Sequence, residues 1–131
     1  MNSDKKMALG LGRYDWTSKS DIILFAFENG INFFDAAESC FDPACGKCSE
    51  EILSCKELSS VEVSTKFSPH RISYNDIIKS AEDSLRRLNR DIIDVYSSHW
   101  PNHDINTEIV YSALYDLKQA GKIKNIGFCN I

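Results

Sequence analysis

Short apolar segments recur along this chain at intervals of about 30 residues, each followed by a segment with helical periodicity, which is the length and order of a β-α-β unit. The predicted strands are Lys6–Leu11, Ile31–Phe34, Val61–Lys66, Ile92–Ser97 and Asn125–Cys129. Strands that are joined through crossover helices run parallel, and the crossovers are right-handed. The sequence therefore predicts an α/β fold in which helices cover a parallel sheet.

Some of the intervening helices carry clear signals at their ends. Ser73 is predicted to begin a helix that runs to Leu88, because Asp76 follows it at the spacing of a capping box. Residues 40–48 contain proline and glycine and are predicted to form a loop. Ser49 is then predicted to cap a short helix.

The composition is that of one soluble globular domain. The chain has 131 residues, of which 43% are hydrophobic and 26% are charged, and this balance excludes a disordered chain, a collagen-like repeat and a coiled coil. The formal net charge is -4 without any lysine and arginine block, so no nucleic-acid partner is expected. No apolar run approaches the roughly 18 residues that span a bilayer, and the N-terminus does not resemble a signal peptide. We therefore expect a cytoplasmic protein that does not associate with membranes.

Two architectures fit the order of elements: a five-stranded flavodoxin-like sheet, and the first half of an eight-stranded (β/α) barrel. In both, functional groups collect at the carboxyl ends of the strands. Asp35 and Lys66 end the second and third predicted strands, and His99 lies just past the fourth. These strands are neighbours in a barrel, whereas the first strand separates the second from the third in the flavodoxin order. The three side chains converge only in the strand order of the barrel, which favours that architecture.

Several segments together resemble the aldo-keto reductase family. They are GINFFDAAESC, SEEIL, VSTKF, SLRRLNRDIIDVYSSHWPN and LKQAGKIKNIGFCN, and they follow the family's order and spacing from about Leu9 to the last residue. The resemblance implies a TIM-type (β/α)8 barrel of which about half is present, as a single partial domain over residues 1–131. It also implies an oxidoreductase that uses NADP(H) to reduce a small-molecule carbonyl or to oxidise an alcohol.

The resemblance also assigns roles to individual residues. Asp35 is the aspartate that pairs with the catalytic lysine, Lys66 is that lysine, and His99 is the histidine that orients the carbonyl. The cofactor-binding positions that the resemblance implies are Gly12, Arg13, Asp35, Cys129 and Asn130. Arg13 replaces a threonine of the family, and it either reaches a cofactor phosphate or faces water.

The family's catalytic tyrosine, which lies five residues after the aspartate, is replaced here by Cys40. A thiol beside Lys66 is expected to tend toward thiolate, and a thiolate has no proton to donate. Tyr14, in the loop after the first strand, is an alternative donor. The sequence thus leaves two hypotheses, a working oxidoreductase and a non-catalytic regulatory or binding module that keeps the scaffold.

Two further questions concern the cysteines and the extent of the chain. Cys40, Cys45, Cys48 and Cys55 are spaced in a way that includes a zinc half-site, but incidental thiols in a loop are the preferred interpretation, and no metal is predicted. A half barrel leaves its first and last strands as open edges. Either the chain is a fragment of a longer protein, or it self-associates through these edges.

Overall fold

The computed structural model describes residues 7–12, 20–42 and 46–130 of the chain. The strands are β1 Ala8–Gly10, β2 Phe33–Asp35, β3 Phe41–Asp42, β4 Lys47–Cys48, β5 Glu62–Phe67, β6 Ile93–Ser98 and β7 Ile123–Phe128. The helices are α1 Ser20–Glu28, α2 Ser49–Ile52, α3 Tyr74–Leu88 and α4 Thr107–Gln119, and a single 3₁₀ turn spans Lys56–Leu58. Within these residues, no helix is long and apolar enough to cross a bilayer.

Five strands form one parallel sheet in the order β1-β2-β5-β6-β7. Strand β2 pairs directly with β5, with Asp35 opposite Ser64, so the flavodoxin order, which would insert β1 between them, is wrong. Strand β5 pairs in turn with β6, with Lys66 opposite Ser97. The carboxyl ends of β2, β5 and β6 therefore meet at one edge of the sheet, as a barrel requires.

The hydrophobic core lies between the sheet and the helices that cover it. Phe34 of β2 and Tyr96 of β6 are completely buried. Ile77 and Ala81 of α3 are also completely buried, because they lie on one side of a helix with 3.6 residues per turn. Side chains alternate between the two faces of a strand. Ser97, next to Tyr96, therefore projects to the opposite face of the sheet, as does its partner Lys66.

The predicted ends of α3 are confirmed. The Ser73 hydroxyl accepts a hydrogen bond from the backbone N–H of Asp76 at 3.1 Å, and Asn89 ends the helix in the left-handed conformation with φ 53°. These contacts satisfy backbone groups that a helix end would otherwise leave unpaired.

The predicted loop over residues 40–48 is replaced in part by a small antiparallel hairpin, in which Phe41 pairs with Cys48. Gly46 has φ +69°, which a turn residue without a side chain adopts readily. The predicted cap of α2 is also wrong by one residue, because Cys48 occupies that position and its backbone N–H donates to Glu51 Oε2 at 2.7 Å. Ser49 lies inside the helix, where its hydroxyl donates to the Ala37 carbonyl oxygen at 3.2 Å.

Strand β7 can approach β6 closely because Gly127 has no side chain. A Cβ atom at Gly127 would stand 2.3 Å from Ser97 Oγ and 3.0 Å from Val95 Cγ1. A glycine inside a strand commonly marks such a close approach. The close packing holds the end of β7 against the strand that leads to His99.

Candidate active site

Lys66 and Asp35 form an ion pair at the carboxyl end of the sheet. Lys66 Nζ lies 2.6 Å from Asp35 Oδ1 and donates a second hydrogen bond to the Ala36 carbonyl oxygen at 2.9 Å. Lys66 is 8% exposed, so these two oxygens replace water as hydrogen-bond partners of its ammonium group. The pairing of β2 with β5 brings the two side chains together, as their positions at the strand ends predicted.

His99 lies one residue beyond the end of β6, beside this ion pair. Its backbone N–H donates to the Phe67 carbonyl oxygen at 3.1 Å, and its ring stacks on Trp100 with centroids 5.9 Å apart. Burial lowers the pKa of His99 and the positive charge of Lys66 lowers it further. The ring is therefore neutral at neutral pH and carries one proton.

Cys40 is half-buried and faces the same charges. Burial raises the pKa of the Cys40 thiol, and this effect outweighs the opposing attraction of Lys66. The expectation that Lys66 would turn Cys40 into a thiolate is therefore wrong, because removal from water penalises the charged form more than the lysine stabilises it. At neutral pH, Cys40 is a protonated thiol that retains a proton to donate.

The end of the chain reaches back to His99. Asn130 adopts the left-handed conformation with φ 58°, and its side-chain Nδ2 donates to the His99 carbonyl oxygen at 2.7 Å. The same nitrogen lies 3.2 Å from Cys129 Sγ. Two of the residues predicted to bind cofactor, Cys129 and Asn130, thus lie next to the predicted catalytic histidine.

Gly12 lies near Asp35 on the other side of the site. The backbone N–H of Leu11, the residue before it, donates to the Asp35 carbonyl oxygen at 2.7 Å. Apart from its chain neighbours, no atom of the described residues would lie within 4 Å of a Cβ atom at Gly12. Arg13 and Tyr14, to which the sequence also gave roles, lie outside the described residues.

Glu38 is a buried carboxylate that no pattern in the sequence indicates. Its Oε1 accepts from the backbone N–H of Ser68 at 2.5 Å, and its Oε2 accepts from the Ser80 hydroxyl at 2.7 Å and from Arg71 Nη2 at 3.2 Å. Burial alone would raise the pKa of Glu38, but the hydrogen bonds from Arg71, Ser80 and Ser68 together hold it below its usual value. The carboxylate thereby ties the segment between Asp35 and Cys40 to the loop after β5 and to α3.

Glu50 is a second missed carboxylate, and it is completely buried. Its Oε1 accepts from the Thr65 hydroxyl at 2.6 Å, and its Oε2 lies 2.5 Å from Arg87 Nε. These contacts join α2 to β5 and to α3, beneath the strand that carries Lys66. A single sequence offers no signal for this cluster beyond the charged residues in SEEIL and SLRRL.

The cysteine spacing does not correspond to a metal centre in the part of the chain that the structure describes. Among residues 7–12, 20–42 and 46–130, no group of three or more histidine, cysteine, aspartate or glutamate side chains is placed to hold a metal ion. Cys48 is buried, while Cys40 and Cys55 are partly buried. Cys45 lies outside the described residues.

Comparison with known proteins supports a single family. A sequence model described as the Aldo/keto reductase family matches residues 6–131. The chain is 30% identical over 133 residues to morphine 6-dehydrogenase of Pseudomonas putida, covering 98% of this chain and 44% of that protein. It is 31% identical over 128 residues to methylglyoxal reductase DkgA of Escherichia coli O157:H7, covering 93% and 44%. The chain thus spans less than half the length of these two relatives.

The chain is also similar in fold to solved aldo-keto reductase structures. The chain matches an aldo-keto reductase of Klebsiella pneumoniae, crystallised in complex with NADPH, with TM-score 0.77 and 25% identity, over 95% of this chain and 45% of that one. A thermostable aldo-keto reductase crystallised with the inhibitor epalrestat matches with TM-score 0.80 and 24% identity, over 99% and 52%. The fold is therefore a partial TIM-type (β/α)8 barrel, as the charged residues at the strand ends and the family resemblance predicted.

Proposed function

The chain belongs to the aldo/keto reductase family, and from this we propose that it supplies the first five strands of an NADP(H)-dependent oxidoreductase that reduces a carbonyl or oxidises an alcohol. The observation that carries the proposal is the ion pair of Lys66 and Asp35, 2.6 Å apart and beside a neutral His99. An ammonium group and a neutral imidazole suit a substrate whose oxygen gains negative charge during the reaction.

The described residues fit the nicotinamide end of such a cofactor. The Asn130 amide contacts the His99 carbonyl oxygen and Cys129 Sγ, and Gly12 follows Leu11, whose backbone N–H bonds to the Asp35 carbonyl oxygen. A bound NADPH would supply a hydride to the carbonyl carbon. The relative from Klebsiella pneumoniae was crystallised with this cofactor, which supports the choice of NADP(H) here.

The side chains then act on the carbonyl oxygen. His99 orients the oxygen by donating a hydrogen bond, and the Lys66 ammonium stabilises the negative charge that develops on it. The Cys40 thiol gives its proton to the alkoxide, and the resulting thiolate, facing Lys66, takes a proton back from water. Asp35 balances the charge of Lys66 between turnovers.

The test is NADPH oxidation by the full-length protein with a panel of aldehydes and ketones. Replacing Lys66 with methionine removes the ammonium while keeping most of the chain length, so we expect kcat/KM to fall at least about 100-fold. Lys79→Met removes an exposed lysine of α3 and serves as the matched control. Turnover that survives Lys66→Met unchanged would overturn the proposal.

Cys40 motivates a second candidate function, a non-catalytic regulatory or binding module. A cysteine is shorter than a tyrosine and is a weak hydrogen-bond donor, so the scaffold and cofactor affinity can persist without reduction. Fluorescence titration with NADPH distinguishes the two functions. Tight NADPH binding without turnover of any substrate in the panel would favour the binding module, and turnover of any of them would exclude it.

A further inference from the structure

Ser39 contacts the proposed catalytic histidine directly. Its Oγ lies 3.1 Å from His99 Nδ1, and within the described ranges this is the hydrogen bond that its hydroxyl makes. Building on the proposed function, we propose that Ser39 is a positioning residue that donates to His99 Nδ1 and so keeps the ring proton on Nε2. Nε2, on the other side of the ring, is then the nitrogen that donates to the substrate oxygen.

The chemistry of a neutral imidazole makes the direction of this bond important. A neutral ring has one N–H donor and one acceptor nitrogen, and the hydrogen bond at one nitrogen fixes which is which. A carbonyl oxygen only accepts hydrogen bonds, so a histidine that orients it must present an N–H. A serine hydroxyl that donates to Nδ1 leaves the proton on Nε2, whereas a hydroxyl that accepts from Nδ1 leaves Nε2 unable to donate.

The backbone holds Ser39 in place although its side chain is exposed. On one side, the carboxylate of Glu38 is anchored by Ser68, Ser80 and Arg71. On the other, the Cys40 carbonyl oxygen accepts from the backbone N–H of Ser49 at 2.8 Å. Neighbours fixed on both sides restrict the motion of Ser39, so a single hydroxyl can hold one geometry.

His99 is held equally firmly. Its backbone N–H is bonded to the Phe67 carbonyl oxygen, its own carbonyl accepts from Asn130, and its ring stacks on Trp100. The ring is therefore restrained by contacts other than Ser39. Removal of the Ser39 hydroxyl should change which ring nitrogen is held in a hydrogen bond without unfolding the site.

The first test reads the position of the ring proton by NMR of the full-length protein labelled with ¹⁵N-histidine. His99→Gln identifies the signals of His99 by their loss. We expect the proton on Nε2, with Nδ1 shifted as a hydrogen-bond acceptor. Ser39→Ala should move the Nδ1 resonance toward the value of a free nitrogen, and Ser39→Thr, which keeps the hydroxyl, should leave it near the wild-type position.

Ser112→Ala removes an exposed serine of α4 and is the matched control, which should not move the His99 signals. A proton on Nδ1 in the wild-type protein would overturn the proposal. An Nδ1 resonance that Ser39→Ala leaves unchanged would also overturn it. Both outcomes are independent of whether the protein turns over a carbonyl.

The second test is kinetic and separates the role of Ser39 from the proposed function. Loss of one hydrogen bond to the orienting group should lower kcat/KM for carbonyl reduction about two- to tenfold in Ser39→Ala, and Ser39→Thr should restore it. Absence of turnover in the wild-type protein counts against the proposed function, while the NMR result still decides the role of Ser39. Unchanged kcat/KM in an active Ser39→Ala enzyme counts against Ser39 alone.

Discussion

The Cys40 thiol is the side chain on which the proposed proton transfer depends. The thiol keeps its proton because burial raises its pKa more than Lys66 lowers it. Cys40 thus has the protonation state of an acid, although its side chain is shorter than the phenol that the family places at this position. The position and reach of the donor, more than its charge, are then expected to limit the rate.

Replacement of Cys40 with tyrosine tests that limit. A phenol extends further from the backbone than a thiol, and positioned general acids contribute about 10²–10⁴-fold to rates. We therefore expect Cys40→Tyr to raise the kcat of carbonyl reduction by about tenfold or more, measured by NADPH oxidation. Cys55→Tyr is the control for an added phenol elsewhere. If Cys40→Tyr changes nothing, Cys40 does not occupy the proton donor's position.

The raised pKa of Cys40 also predicts the pH dependence of reduction. A proton donor works only while it is protonated, so the rate should persist as pH rises through the usual range of a free thiol, about 8.5. It should fall only above the raised pKa. The alkaline limb of the kcat profile should disappear in Cys40→Ser, because a serine hydroxyl does not lose its proton in this pH range. A limb that is identical in both proteins would assign the titration to another residue.

Single residues differ in how well the sequence predicts them. The positions of Asp35, Lys66 and His99 followed from their strand ends, because the functional groups of a barrel collect at the carboxyl ends of its parallel strands. Glu38 could not be found in the same way. Its partners Arg71 and Ser80 lie 33 and 42 positions away in the sequence. Hydrogen bonds over such separations are created by tertiary packing, and residue spacing does not predict them.

At the scale of elements, the buried Glu50 joins α2, β5 and α3. Removing one partner of a buried ion pair leaves the other charge without compensation, and this costs about 3–5 kcal/mol. Arg87 is 28% exposed, so some water replaces it, and we expect Arg87→Met to lower the free energy of unfolding by about 2 kcal/mol. Urea denaturation of the full-length protein measures the change.

The neighbouring residue supplies a matched control for that prediction. Arg86 pairs with Asp83 on the surface and its side chain is 75% exposed. Exposed pairs contribute about 0–1 kcal/mol, so Arg86→Met should change the unfolding free energy little. Equal losses in the two variants would show that Arg87 does not stabilise the fold through Glu50.

Element ends were predictable where a side chain makes a local bond, and not elsewhere. Ser73 and Asp76 lie three residues apart and form hydrogen bonds with each other, so the sequence alone predicts where α3 begins. The cap of α2 is a cysteine, which is not a preferred capping residue, and Glu51 completes it from inside the helix. The hairpin that precedes it depends on pairing between strands of only two residues, which is too short for a hydrophobic pattern.

At the scale of the whole molecule, the position of a few charged residues distinguished two folds with the same order of elements. Strand β2 lies against β5, which brings Asp35 and Lys66 together, and this adjacency is the strand order of a barrel. The remaining strands of a barrel would lie beyond β7 and β1, each of which pairs on one side only among the described residues. The sheet therefore presents two sets of backbone donors and acceptors at its edges.

Those edges predict how residues 1–131 behave when they are expressed alone. Unpaired strand edges template association with other chains, so we expect light scattering after size exclusion to give a mass well above the 14.8 kDa of one chain. Phe128 ends β7 and is 48% exposed, so Phe128→Lys should reduce association by placing charge at that edge. Ile72→Lys, at a residue 57% exposed in the loop before α3, should leave it unchanged. A folded monomer of 14.8 kDa would show that the five-stranded sheet is stable without further strands.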